Sequence, residues 1–132
     1  MSVFAQIDAR LEDFAATQQT ELNRDRHGTS LRSWGPNNGG FEERRIDWQR
    51  NGFRLAVVIQ PDFSSMTVDT SKWHCYALAW EHVGGGKRVA EKRLVSARPF
   101  AEIEAHVDEL LAEARTFLDG LQRHDLRPRI VG

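Results

Sequence analysis

The residues best suited to binding a ligand lie in a long polar stretch between residues 23 and 40. His27, Arg32 and Trp34 fall within eight positions of one another there, and an imidazole, a guanidinium and an indole can together hold an anion. Glycine, proline and asparagine interrupt every hydrophobic periodicity in this stretch, which predicts a loop. Loops of this length are usually either functional or disordered. Two hypotheses therefore stand: these three residues line the pocket of a small-molecule-binding protein or an enzyme, between the loop and the predicted sheet, or the stretch is a linker without a site.

The single cysteine, Cys75, is the candidate for a thiol nucleophile, and it would need a nearby histidine to lower its pKa. Its neighbour His74 lies in the same predicted strand, where successive side chains point to opposite faces, so the imidazole cannot easily reach the thiol. The pattern therefore predicts a buried, unreactive thiol. His82 lies about 27 Å from His74 along an extended strand, so these histidines cannot share a metal ion.

Acid–base chemistry would require paired carboxylates, and Glu81 and Glu91 lie on neighbouring predicted strands. Each is better explained by pairing with a cation across the sheet.

His106 has Glu102 and Glu109 on its helix face, which a solvated surface explains better than a metal site. Gly-x-Ser-x-Gly and the phosphate-binding glycine loop are both absent from the sequence. The sequence favours a protein with no catalytic activity, no cofactor and no metal.

Charge and hydropathy argue against two classes of partner. The 132-residue, 15.1-kDa chain has 18 Lys and Arg against 19 Asp and Glu, a net charge of −1, whereas nucleic-acid-binding domains carry a basic excess. No apolar run approaches the roughly 18 residues that a membrane span needs, and the N-terminus does not match a secretory signal. We therefore expect no nucleic-acid partner, no membrane partner and a cytoplasmic location.

Two segments have the hydrophobic spacing of amphipathic helices. Apolar residues beginning at Phe4 recur every three or four positions and predict a helix over about residues 3–22. The same spacing from Phe100 to Leu121 predicts one long C-terminal helix. Residues 123–132 have no such pattern, and we expect a loose tail there.

The strongest strand signal is the dipeptide Asn51-Gly52 between the apolar-alternating runs Glu42–Gln49 and Phe53–Gln60. Asn-Gly suits the positive φ angles of a two-residue hairpin turn. Such a turn pairs positions whose numbers sum to 103, so the register follows: Arg44 with Ile59, Ile46 with Val57, and Trp48 with Leu55.

Two further strands are predicted over Lys72–Val83 and Lys87–Val95, joined by a glycine turn. The whole chain, residues 1–132, is then one α+β domain. It forms a two-layer sandwich in which a four-stranded antiparallel meander carries both helices on one face. This element order resembles that of several small bacterial α+β domains, among them cystatin-like folds, immunity proteins and secretion chaperones. No motif accompanies the resemblance, so it implies no function.

A two-layer fold leaves one face of the sheet without helices. The sequence does not decide which face of the third strand meets the helices. If Tyr76, Leu78 and Trp80 face them, the open face carries small side chains, which predict a contact surface at Ala56, Val58, Ala77 and Ala79, with Trp73 beside them. The leading hypothesis is a non-enzymatic protein that forms a homodimer or binds a protein partner through this face or through the 23–40 loop. A plain solvated face and a ligand groove are the alternatives.

Overall fold

The computed structural model describes residues 2–24, 41–63 and 68–129. The helices in this part of the chain are α1 (Asp8–Thr17), α2 (Phe100–Ala105) and α3 (Val107–Asp119). The strands are β1 (Leu22–Asn23), β2 (Arg44–Arg50), β3 (Phe53–Asp62), β4 (Asp69–Val83), β5 (Gly86–Arg98) and β6 (Arg127–Pro128). A short 3-10 turn, Arg123–Asp125, precedes β6. None of the described helices has the length and apolar content needed to cross a bilayer.

The six strands form one antiparallel sheet in chain order, from β1 at one edge to β6 at the other. The predicted α+β class with an antiparallel sheet is confirmed, but the predicted four strands are too few. The two additional strands, β1 and β6, are two residues long, which is too short for a hydrophobic alternation to reveal in the sequence.

The β2–β3 hairpin has the predicted register. Trp48 lies opposite Leu55 and Ile46 opposite Val57. Asn51 and Gly52 both have positive φ angles, 57° and 84°, as a type I′ turn requires. A local turn preference and the alternation of apolar residues point to the same pairing, so this part of the sheet follows from the sequence.

The orientation of β4 is the reverse of the one we considered. Ala77 lies opposite Val57, and Ala79 lies opposite Leu55. Directly opposed residues in an antiparallel pair share a face, so both alanines lie on the helix side and are 0% exposed. They belong to a hydrophobic cluster that contains the buried residues of all three helices.

Trp73 also lies in this core and is not part of an open surface. Its ring contacts the rings of Phe4 and Phe100 edge-on, with centroid separations of 5.5 and 5.0 Å. The indole Nε1–H donates a hydrogen bond to the backbone oxygen of Thr70 at 2.8 Å. The tryptophan therefore joins the N-terminal segment and α2 to β4.

The helices are shorter than their hydrophobic patterns predict. Helix α1 covers only part of the predicted 3–22, and the C-terminal helix is broken at His106, whose φ and ψ are −125° and 21°. Ile103 and Val107, on either side of the break, are both buried. Their spacing of four residues suits a continuous helix and a broken one equally, so the pattern does not reveal the break.

The predicted loose tail is wrong for residues 123–129. Leu126 is buried in the core, and β6 pairs with β5 at Arg88 and Val89. The backbone N–H of Arg129 donates to the carbonyl oxygen of Lys87 at 2.9 Å. One leucine and a two-residue strand are enough to anchor this segment, although neither produces a periodic signal.

Candidate functional site

The sheet face opposite the helices carries an apolar cluster of its own, which we call the outer cluster. It consists of Ala56, Val58, Tyr76, Leu78, Trp80 and Val89. Strand pairing brings these residues together, since Val58 lies opposite Tyr76 and Ala56 lies opposite Leu78. Tyr76, Leu78 and Val89 remain partly accessible to solvent, so the cluster presents an apolar surface in the middle of an open sheet face.

Two arginines lie over the aromatic rings of the outer cluster. The guanidinium of Arg45 is 5.3 Å from the centroid of the Trp80 ring, and that of Arg93 is 4.7 Å from the Tyr76 ring. These are cation–π distances. Because the arginines come from β2 and β5, they flank the cluster from both sides, and their aliphatic stems can cover apolar neighbours.

A carboxylate on the same strand orients each of these arginines. Arg45 Nε donates to both carboxylate oxygens of Asp47 at 2.8 and 2.9 Å, and Arg93 Nε lies 2.8 Å from Glu91 Oε1. The outer face therefore has an apolar centre and a rim on which both signs of charge alternate.

His74 and Asp62 form the most buried acid–base pair on this face. Nε2 of His74 lies 2.7 Å from Asp62 Oδ1, and the two side chains are 12% and 10% exposed. The backbone N–H of Ala97 donates to Nδ1 at 3.2 Å, so in the neutral ring the proton is on Nε2 and faces the carboxylate. Both ring nitrogens already have partners. Because both nitrogens are hydrogen-bonded, the imidazole is better suited to holding β4 against β5 than to acting as a general base.

The hydroxyl of Tyr76 is protonated at neutral pH. Burial raises the pKa of Tyr76, and the negative charges of Glu43 and Glu91 raise it further. The positive charges of Arg45 and Arg93 lower it. The hydroxyl contacts Gln60 Oε1 at 3.4 Å as a weak donor. A neutral phenol over an apolar surface is suited to contact with a partner and not to nucleophilic attack.

Cys75 lies on the helix side of β4 and is 1% exposed. Burial raises the pKa of Cys75 to about 12, with a smaller contribution from the charge of Glu113. The thiolate that nucleophilic chemistry needs is therefore absent at neutral pH. This agrees with the unreactive thiol that the sequence predicts.

The other pairs considered from sequence are ion pairs in the structure. Glu81 binds Arg123 (Nε to Oε2, 3.1 Å), while Glu91 binds Arg93, so the two glutamates do not form a carboxylate pair. His106 Nδ1 lies 2.9 Å from Glu109 Oε2 on an exposed helix surface. Across residues 2–24, 41–63 and 68–129, no group of three or more histidine, cysteine, aspartate or glutamate side chains could hold a metal ion.

The structure separates the site residues predicted from sequence into three groups. His27, Arg32 and Trp34 lie outside the described residues. Ala56 and Val58 belong to the outer cluster, whereas Ala77, Ala79 and Trp73 lie beneath the helices.

The sequence reasoning missed the larger members of the outer cluster because a row of tyrosine, leucine and tryptophan suggests a core. Two signals favour the observed orientation. Cys75 lies in the alanine row, and cysteine is among the residue types most often buried. His74 and His82 sit at the two ends of the row that contains Leu78, as expected for a face bordered by solvent.

Comparison with protein-family models, with curated proteins and with solved structures found no match to this chain.

Proposed function

We propose that this protein is a non-enzymatic interaction protein and that the outer face of its sheet binds a second copy of the chain. The supporting observation is the outer cluster, an apolar centre containing Tyr76 and Trp80 with Arg45 and Arg93 at its margins. Aromatic residues and arginine are the types that contribute most to binding at protein interfaces, and a polar rim around an apolar centre is their usual arrangement.

The charges on the rim favour a second copy as the occupant. A strongly acidic or basic partner would meet like charges on this face, because Arg45 and Asp47 lie on one side of the cluster and Glu91 and Arg93 on the other. Arg45 and Arg93 lie at one level of the sheet, and Asp47 and Glu91 lie at the next level on the same face. A twofold axis perpendicular to the strands, midway between these two levels, places β2 of one copy over β2 of the other. Arg45 of each copy then meets Asp47 of its partner, and Arg93 meets Glu91, so the interface is self-complementary.

Sedimentation equilibrium on the full chain tests the proposal. Leu78→Arg places a charge at the centre of the outer cluster, and we expect dimerisation to weaken by about 2 kcal/mol or more, roughly 30-fold. Val83→Arg is the matched control, since Val83 lies on the same strand but is 45% exposed and outside the cluster. A wild-type chain that stays monomeric at high concentration would overturn the proposal, as would equal dimerisation of the two variants.

Charge reversal tests the twofold arrangement itself. Arg45→Glu and Asp47→Arg should each weaken the dimer, because each creates a like-charge contact across the axis. The double variant restores opposite charges at the same contact and should recover most of the lost affinity. Additive losses would exclude this orientation of the two copies.

A further inference from the structure

A second candidate site lies at the end of the sheet, around the β2–β3 turn. The cleft there has a volume of about 540 Å³, and arginines from three separate elements line it: Arg50 from β2, Arg54 from β3 and Arg123 from the 3-10 turn. Phe53 lines the cleft from the helix side and Trp80 from the outer face. Guanidinium groups that line one cleft repel one another unless anionic groups compensate them.

Glycine at position 52 allows Arg123 to approach the turn. A Cβ added to Gly52 would overlap Nη2 of Arg123, so the guanidinium occupies the space that any other side chain would need. Nε of the same arginine lies 3.1 Å from Glu81 Oε2. Glu81 thereby fixes the guanidinium through one edge and leaves donors on its Nη groups.

The three arginines are not fully compensated. Arg50 Nη2 lies 2.6 Å from Asp119 Oδ1, and Arg123 is paired with Glu81. Arg54 is exposed, and within the described part of the chain it has no carboxylate at ion-pair distance. The cleft therefore holds one guanidinium more than its carboxylates neutralise, next to an apolar floor.

We propose that this cleft binds a small organic carboxylate, with its oxygens on Arg54 and Arg123 and its apolar part toward Trp80, which lies opposite Arg54 on the outer face. A planar carboxylate matches the fork of a guanidinium. One uncompensated positive charge balances a monoanion, whereas a phosphate group brings a charge of about −1.5 to −2 at neutral pH.

Benzoate is the probe, and benzamide is its uncharged control of the same shape. Titration followed by ¹H–¹⁵N NMR reports on the indole signals of the four tryptophans, and a Trp80→Phe variant assigns the signal of interest. We expect benzoate to shift the Trp80 signal saturably and to leave those of Trp48 and Trp73 in place. Benzamide should bind at least tenfold more weakly.

Arg54→Gln should weaken benzoate binding about tenfold, the loss expected for one charged hydrogen bond. Arg10→Gln is the control, because Arg10 pairs with Asp108 at a different surface of the molecule. Inorganic phosphate binding as tightly as benzoate would overturn the carboxylate assignment. Absence of a saturable shift with benzoate, or equal binding by the Arg54→Gln variant, would overturn the site.

Discussion

Arg44 and Arg45 are adjacent on β2, and replacing each by methionine should have very different effects on stability. Arg44 points to the helix side and its side chain is 5% exposed. It donates to both carboxylate oxygens of Asp8, at 2.8 and 3.1 Å, and its guanidinium lies 4.3 Å from the ring of Phe4. Arg45 points to the outer face, and its ion pair with Asp47 is 31% and 41% exposed.

The magnitudes follow from these exposures. Removing one partner of a buried ion pair costs about 3–5 kcal/mol, because the other charge stays without compensation. Asp8 keeps 17% exposure, so the lower end, about 3 kcal/mol, applies to Arg44→Met. For a chain of this length that corresponds to a fall of about 10 °C in Tm. Arg45→Met removes an exposed pair and should cost about 1 kcal/mol or less.

Urea unfolding followed by circular dichroism measures both values. Measurement at two protein concentrations tenfold apart separates folding from any association through the outer face. The double variant Arg44→Met/Asp8→Leu removes both charges and should recover part of the loss. Equal destabilisation by Arg44→Met and Arg45→Met would refute the conclusion that Arg44 anchors the N-terminal helix to the sheet.

Two other predictions concern Cys75 and the hairpin turn. Burial keeps the Cys75 thiol protonated in the folded protein, so its contribution to stability is complete below pH 9 and is lost as the pH rises toward 12, because the unfolded thiol ionises first. Urea unfolding between pH 8 and 10 should show the free energy of unfolding declining by up to about 1.4 kcal/mol per pH unit. Cys75→Ala should show a smaller decline, and an identical pH dependence in both proteins would count against the buried thiol. Gly52→Ala should cost about 1–2 kcal/mol because Gly52 has a φ of 84°. Gly85→Ala, with no atoms within 4 Å of the added carbon, should be nearly neutral in thermal unfolding, and equal losses would contradict the turn argument.

The β2–β3 hairpin shows how much local sequence can determine. Asn51 and Gly52 accept positive φ angles, and the apolar alternation on both sides allows one register that buries Ile46 and Leu55 together. The same local reasoning located both helical segments and the unreactive character of Cys75. In each case the deciding interaction lies within a few residues or depends on an average property of the residue type.

The orientation of β4 depends on contacts between distant parts of the chain. Alternation divides β4 into two faces, but the choice between them depends on its pairing with β3 and on α3 covering the small residues Ala77 and Ala79. A one-residue change in register exchanges the two faces. The strand by itself contains no signal that excludes either arrangement.

The candidate sites show the same division. Periodicity and composition identified the α+β class and predicted an open sheet face, and two residues of the outer cluster, Ala56 and Val58, were among those predicted. Tertiary structure decided that Arg45 and Arg93 lie over the rings of that face. It also brought Arg54 and Arg123 to one cleft from positions nearly seventy residues apart. Side chains that meet across strands leave no local pattern, because their proximity arises only after the sheet and the C-terminal segment have assembled.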